Sequence, residues 1–412
     1  MATNTNPVAA RPRYDLADIS IAILSGVVLA IAGIFFLTVP LSGSMAGSRD
    51  FVAYYATGRQ LVQHADPYDP AAIRMIEHSA GLTANGVLLM RNPPWGLPLA
   101  YPLGFLGVRV AAALWSLILL GCLLTTVYLV RKMHGSPPSY VHWLALSFTP
   151  ALMCLTMGQT SLFALLGLTL FLRFHRSHPF GAGAALWLCM LKPHLFLPFA
   201  VVLCLWIFFS RSYKLLAGAV VAMGVSCLLT WLIDPAAFAN YTALMRSPAV
   251  VEEFIPSLSD SLRFLINKQA VWLQYVPAAL ACLWAVYYFW RNRRNWDWME
   301  QGNLLMLVSL AAAPYAFPYD QCLAIPAVIH GAYTTRKRPM LVVLTVILAL
   351  IGLEATKFRI TSPFYLWSAP IWFAWYLVAR ASSGERAAAA LAKLLPAQAT
   401  SVPGPEANYL RP

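Results

Sequence analysis

Four short patches break an otherwise apolar chain, and each holds side chains able to move a proton or hold an anion. The first, Ser48-Arg49-Asp50-Phe51-Val52-Ala53-Tyr54-Tyr55-Ala56-Thr57-Gly58-Arg59, sets a carboxylate ahead of an aromatic run. The others are Gly158-Gln159-Thr160, Lys192-Pro193-His194 and Pro314-Tyr315-Ala316-Phe317-Pro318-Tyr319-Asp320. A fifth candidate, Arg263, shares a polar helical face with Asp260.

Each admits a bland and a chemical reading. Asp50 is either a charge at a helix start, paired with Arg49 or Arg59, or a general base that takes a proton from a hydroxyl. The second role needs a partly dry setting, which Phe51, Tyr54 and Tyr55 would supply. A lysine inside an apolar hairpin is costly unless it snorkels to the interface or meets an anion. We favour a phosphate contact for Lys192, with His194 as a second donor and Pro193 fixing the backbone. Gln159 either satisfies a helix end or hydrogen-bonds a sugar or phosphate oxygen. Asp320 opens an apolar run beside Tyr319 and requires a cation, for which Lys192 and Arg263 are the candidates. Arg263 either neutralises a phosphate or flanks lipid headgroups.

The elements that position these residues are membrane helices. The composition is 59% hydrophobic and 11% charged, with a mean hydropathy of +0.64, far from the roughly 25% charged residues of soluble domains. This predicts an all-α polytopic membrane protein. Apolar runs suggest about twelve spans, centred near 19–39, 109–130, 141–157, 160–172, 180–192, 194–209, 215–233, 271–290, 303–314, 320–334, 340–352 and 363–379. A polar N-terminal tail covers 1–18, the membrane domain 19–380, and an Ala- and Pro-rich tail 381–412, with a short amphipathic helix expected at 385–395. Residues 19–39 read as an uncleaved first span, too long for a signal-peptide core.

The net charge of +13 is distributed in short clusters between apolar runs, which fits topology rather than nucleic-acid binding. A cytoplasmic N-terminus puts Arg131/Lys132, Arg173/Arg176, Arg211/Lys214, Arg291/Arg293/Arg294, Arg336/Lys337/Arg338 and Arg380 on one side. Both termini are then cytoplasmic, and every chemically unusual turn faces outward across a plasma membrane. Two outer loops are long, 41–107 and 234–270. In the first, Ser48 is expected to cap a short amphipathic helix lying on the membrane surface. Asp69 and Pro70 read as the N-cap and N1 of a second helix, Ala71 to Ser79.

All seven cysteines (Cys122, Cys154, Cys189, Cys204, Cys227, Cys282, Cys322) fall inside apolar runs, without a CxxC pair, so neither a disulfide framework nor a metal site is expected. The chain has no Walker motif, Rossmann glycine fingerprint or HExxH, which argues against a nucleotide-sugar or ATP site.

The ordered set Asp50-Phe51 with Tyr54-Tyr55 and Gly58, Asp66-Pro67-Tyr68, Asn92-Pro93-Pro94 leading to Pro98-Leu99, Gly158-Gln159, Lys192-Pro193 and Pro314-Tyr315 with Tyr319-Asp320 resembles glycosyltransferase family 87 of the GT-C superfamily. The likeness spans about residues 45–330; where the family carries Tyr-Pro-Pro, this chain has Asn92-Pro93-Pro94. The resemblance implies a GT-C-type fold of about twelve membrane helices, with short interfacial helices in the first outer loop. It implies inverting transfer of a sugar, mannose or a related hexose, from a polyprenyl-phosphate carrier to a lipid or glycan acceptor in envelope assembly. Asp50 falls at the family's catalytic base. Lys192, His194, Gln159, Arg263, Asp320 and Tyr319 would face the donor, and Tyr54, Tyr55 and Asn92 the acceptor. No metal or other cofactor is expected. A lipid-linked-sugar flippase is the competing reading, but a transporter needs polar residues through the bilayer middle, and here they gather outside.

Overall fold

The computed structural model describes residues 21, 23, 50–82, 86–335 and 338–394, with side chains of the last helix described to residue 381. The expected first span at 19–39, the Ser48 cap and most of both tails lie outside these residues. Among those described, the chain is helical and contains no strand. Its α-helices are α1 Phe51–Val62, α2 Pro70–Ser79, α3 Leu97–Ala100, α4 Val108–Met133, α5 Thr149–Met157, α6 Ser161–Phe174, α7 Pro179–Cys189, α8 Leu197–Ser210 and α9 Tyr213–Ile233. Then follow α10 Ala237–Met245, α11 Pro248–Val251, α12 Leu258–Ile266, α13 Val276–Asn292, α14 Asn303–Ala311, α15 Ile325–Thr334, α16 Arg338–Lys357 and α17 Ser368–Leu394.

Among the described residues, five segments are long and apolar enough to cross a bilayer: Val108–Met133, Pro193–Ser210, Tyr213–Ile233, Val271–Asn295 and Pro339–Lys357. Ser161–Phe174 and Pro179–Cys189 are apolar but shorter. Other expected spans are broken. The 141–157 run divides into a 3₁₀ turn (Val141–Ala145) and α5, and the 320–334 run into a 3₁₀ segment (Pro318–Ala324) and α15. Proline accounts for the breaks, since Pro150, Pro318 and Pro326 sit at the first positions of the new segments, where their missing N–H costs no helical bond. The short tail helix expected at 385–395 is instead the end of one uninterrupted helix, α17.

The membrane-facing side chains are as expected of a bundle in lipid. On α4, Leu114, Leu117, Leu124 and Tyr128 are exposed, while Trp115, Leu119 and Leu123 are buried. The core runs through Phe148, Phe171, Phe196, Phe199, Trp298 and Trp372.

The first long loop, 41–107, departs from expectation in one respect. Helix α1 is not a surface helix: Phe51 through Gly58, Gln60 and Leu61 are all buried. Small residues on the face opposite the aromatics (Ala53, Ala56, Thr57) let neighbours close over it. On the aromatic side, Gly58 meets the 3₁₀ turn Tyr101–Phe105 backbone to backbone. A Cβ on Gly58 would fall on the Ala100 carbonyl oxygen, and one on Gly104 on the Gly58 carbonyl oxygen. Arg59 Nη1 seals the contact by donating to the Gly104 carbonyl at 3.0 Å. The second helix is as expected: Asp69 accepts from Ala71 N–H at 2.9 Å, and Pro70 opens α2.

Because this contact has no room for a methyl group, Gly58→Ala should destabilise the fold by about 1–3 kcal/mol through forced separation of α1 from the Tyr101–Phe105 turn. Thermal unfolding in detergent would show it as a lowered Tm. An unchanged Tm would mean that the two segments separate freely.

Candidate functional site

Five segments from distant parts of the chain meet at one cavity of about 330 Å³. Asp50, Tyr54, Asn92, Gln159, Lys192, His194, Tyr319 and Asp320 all line it.

Asp50 occupies the N-cap position of α1, yet its side chain caps no N–H group of that helix. Its Oδ2 instead accepts a 2.7 Å hydrogen bond from Gln159 Nε2. Gln159 is oriented by its turn. Gly158 ends α5 in the left-handed region (φ 77°), a conformation that favours glycine, and Trp115 Nε1–H donates to its carbonyl at 2.7 Å. The Gln159 amide oxygen accepts from the Tyr54 hydroxyl at 3.0 Å and from Lys192 Nζ at 3.3 Å. Lys192 Nζ also donates to Asp320 Oδ1 at 2.6 Å and lies 4.8 Å from the centre of the Tyr319 ring. Asp320 takes two further bonds, from Ser161 Oγ at 2.5 Å and Phe317 N–H at 2.9 Å.

The result is an unbroken chain of contacts, Asp50–Gln159–Lys192–Asp320, with Asp320 1% exposed and Lys192 8% exposed. A buried pair of this kind is costly to break from one side, about 3–5 kcal/mol, because the remaining charge is left without a partner. Lys192, not Arg263, is thus the cation that Asp320 requires. Burial also drives the Tyr54 hydroxyl well above its ordinary range, with the Asp50 charge adding to the effect. Tyr54 therefore acts as a neutral hydrogen-bond donor, its ring stacked on Trp115 at 5.3 Å. Beside this chain of contacts His194 stacks on Tyr315 at 3.8 Å.

Two expected site residues lie off the cavity, and a third lines it in a different setting. Arg263 does not line the cavity. It is 2% exposed, paired with Asp260 at 3.0 Å, and donates to the carbonyls of Val251 (2.8 Å) and Glu253 (3.4 Å). Its helix spacing suggested a free basic face, but its guanidinium is consumed in holding the turn before α12. Tyr55 also lies off the cavity, its hydroxyl 3.4 Å from the Leu106 carbonyl and its ring against Phe51. Asn92 lines the cavity, but its amide donates to Thr160 Oγ1 (3.0 Å) and the Leu191 carbonyl (2.8 Å), clamping the segment to the two other turns.

The structure adds residues that the sequence did not single out. Arg91 and Glu253 form an ion pair between the two long loops, 41–107 and 234–270, at the cavity wall. Tyr241 and Tyr275 add aromatic surface beside Tyr315 and Phe317 of the Pro314–Asp320 patch. Glu77 of α2 is fully buried, and both its oxygens accept from Leu88 N–H at 3.1 Å. It anchors the segment that continues to Arg91. No regular spacing marks these residues, because each owes its position to a partner in another element. Among the described residues no group of three or more His, Cys, Asp or Glu is placed to hold a metal ion.

Comparison with known families settles the class. The profile of glycosyltransferase family 87 matches residues 91–318, more than half of the chain. The chain belongs to glycosyltransferase family 87. It is accordingly a membrane glycosyltransferase, with a sugar donor and an acceptor as its substrates. Asn92, Gln159, Lys192 and His194 lie within the matched region; Asp50 and Tyr54 precede it, and Tyr319 and Asp320 lie just beyond it. A search of the curated proteins and one of the solved structures gave no match.

Glu77 gives the site a pH dependence. Burial raises its carboxyl from the ordinary 4.5 to about 7, opposed in part by the Leu88 N–H and aided by the Asp50 charge. The folded state therefore holds a proton that the unfolded chain has already released. The stability this group contributes is complete below pH 4.5 and is lost as the pH rises through 7. Wild-type Tm should fall between pH 5 and pH 8 by more than that of Glu77→Gln, which cannot ionise. Parallel Tm–pH curves for the two proteins would show that Glu77 is ionised throughout.

Proposed function

We propose that this glycosyltransferase moves a hexose, mannose or a close relative, from a polyprenyl-phosphate carrier to a hydroxyl of a lipid or glycan acceptor in envelope assembly, with inversion at the anomeric carbon. The observation that supports it best is the chain Asp50–Gln159–Lys192–Asp320 along one cavity: a carboxylate at one end and a fixed cation further along.

On this reading Asp50 accepts the proton of the acceptor hydroxyl as its oxygen attacks the anomeric carbon. The bond from that carbon to the phosphate oxygen breaks, and the carrier monophosphate leaves with both bonding electrons. Negative charge thus grows on phosphate, where a positioned cation stabilises it most. Lys192 has three N–H donors, of which Asp320 and Gln159 engage two. The third is offered to the phosphate, with His194 beside it. Gln159 keeps Asp50 and Lys192 in register by donating to one and accepting from the other. A hydrolase needs paired carboxylates; here phosphate leaves without a general acid, so one base suffices. Protein cations provide the charge compensation, and no resident metal enters the step.

Tyr54 and Asn92 border the acceptor side. Tyr319, whose ring lies against Lys192, borders the donor. For the membrane arrangement we propose the GT-C plan of about twelve helices, in which the shorter and Pro-broken apolar helices also lie in the bilayer. Residues 1–18 and 381–412 are cytoplasmic tails on this plan, and the cavity opens on the outer face of the plasma membrane within the 19–380 domain.

Two experiments test this reading. Asp50→Asn keeps the shape of the side chain and the bond from Gln159 but removes the base. It should leave Tm and donor binding near wild type and lower the transfer rate by about 10² or more, measured with defined polyprenyl-phosphate sugars and membrane lipid, with products identified by mass spectrometry. Near-normal turnover would reduce Asp50 to a structural charge. For orientation, a cysteine at Ala65, in the turn after α1, should react with a membrane-impermeant thiol reagent in intact cells, compared with the parent protein. Reaction only after lysis would reverse the topology.

A further inference from the structure

The cavity wall carries three carboxylates, Asp50, Glu253 and Asp320, against two cations, Arg91 and Lys192. Lys192 shares its charge with Asp320 in the buried network, so the charge growing on a phosphate leaving group calls for a second cation beside it. Arg91 differs in every respect. Its side chain is 28% exposed, and that of its partner Glu253 is 31% exposed. Its backbone, by contrast, is fixed. The Tyr241 hydroxyl donates to the Arg91 carbonyl at 3.3 Å, and Asn92, the next residue, is clamped by both its amide bonds. Arg91 therefore combines an anchored backbone with a partly exposed guanidinium at the cavity wall. Its charge is already felt at the Tyr315 hydroxyl, and Tyr315 stacks on His194.

Glu253 is held just as deliberately. Arg263 grips the carbonyls of Val251 and Glu253, and Asp260 Oδ2 accepts from Ile255 N–H at 2.7 Å. The turn that presents Glu253 to Arg91 is thus built on a buried ion pair with no contact with the cavity.

We infer that Arg91 is a second donor-phosphate ligand, which exchanges its Glu253 carboxylate for the carrier phosphate when the donor enters. The inference rests on the polyprenyl-phosphate reading above. A guanidinium matches phosphate as it matches carboxylate, through two parallel N–H···O bonds, so the exchange preserves the geometry: the singly charged phosphodiester of the donor replaces one carboxylate, and the second charge appears at Arg91 as the sugar leaves. Glu253 then acts as a stand-in for the phosphate, neutralising Arg91 in the empty enzyme and competing with the donor for it. The exchange frees the 234–270 loop from the 41–107 loop as the donor arrives, and the departing monophosphate returns Arg91 to Glu253.

The sign of two substitutions tests this. Affinity for farnesyl phosphate, a short polyprenyl monophosphate, is titrated on the full chain in detergent, with Tm as a check on folding. Arg91→Ala should weaken binding by at least about tenfold, as expected for a charge-assisted pair of bonds, and Arg91→Lys should recover part of it. Glu253→Gln should instead tighten binding, because the competing carboxylate is gone. A pair that merely tied the two loops would make both substitutions weaken binding alike, and that result overturns the inference. So does wild-type binding that survives Arg91→Ala unchanged, and in both cases the polyprenyl-phosphate donor still stands. A wild type that does not bind the phosphate at all overturns the donor reading together with the inference.

Discussion

The arrangement of the site depends on one buried ion pair. Lys192 and Asp320 come from turns well separated in sequence, and both are almost fully shielded from water. In such surroundings neither charge is tolerable alone, so the Lys192-Pro193-His194 turn and the Pro314–Asp320 corner are obliged to meet. Ser161 at the start of α6 and the Phe317 N–H complete the Asp320 shell. That brings in the neighbouring Gly158-Gln159 turn, and Gln159 in turn brings in Asp50. The pair contributes uniqueness of arrangement more than net stability: it selects one mutual placement of four turns among the many that apolar helices alone would accept.

This dependence explains why so much of the site was legible in the sequence. A Lys or Asp within an apolar run is a conspicuous expense, and Lys192 and Asp320 each announced the need for a partner. Asp69-Pro70 was equally readable, because an N-cap and its N1 proline are local features. The failures share a different cause. Arg263 and Arg91 are both arginines in long loops between apolar runs, and nothing local separates one that grips backbone carbonyls from one that lines a cavity. The distinction lies in Asp260, Val251 and Glu253, whose distances the sequence does not state. Likewise α1 carries the pattern of a half-exposed helix, but the Gly58–Gly104 contact, closed by a turn more than forty residues on, buries it. Broken spans such as 141–157 were visible as apolar runs, while their division at Pro150 depended on how neighbouring helices take up the freed backbone groups.

The family assignment and the geometry bear on different questions. The matched region contains Gln159, Lys192 and His194 but stops short of Asp50 on one side and Asp320 on the other. The profile thus identifies the class of protein, whereas the hydrogen bond from Gln159 to Asp50 ties the unmatched first loop to the matched core. The two ends of the catalytic proposal are joined by side-chain contacts, not by the profile.

Trp115 sits at the centre of a further connection. It belongs to α4, a segment long and apolar enough to span the bilayer, and it holds the Gly158 carbonyl while stacking on Tyr54. A spanning helix tilts to match the thickness of the hydrocarbon around it. One indole thus ties a segment long enough to span the bilayer to both the Gly158 turn and the Tyr54 ring, so that any tilt of α4 is carried first to the neighbours of Asp50.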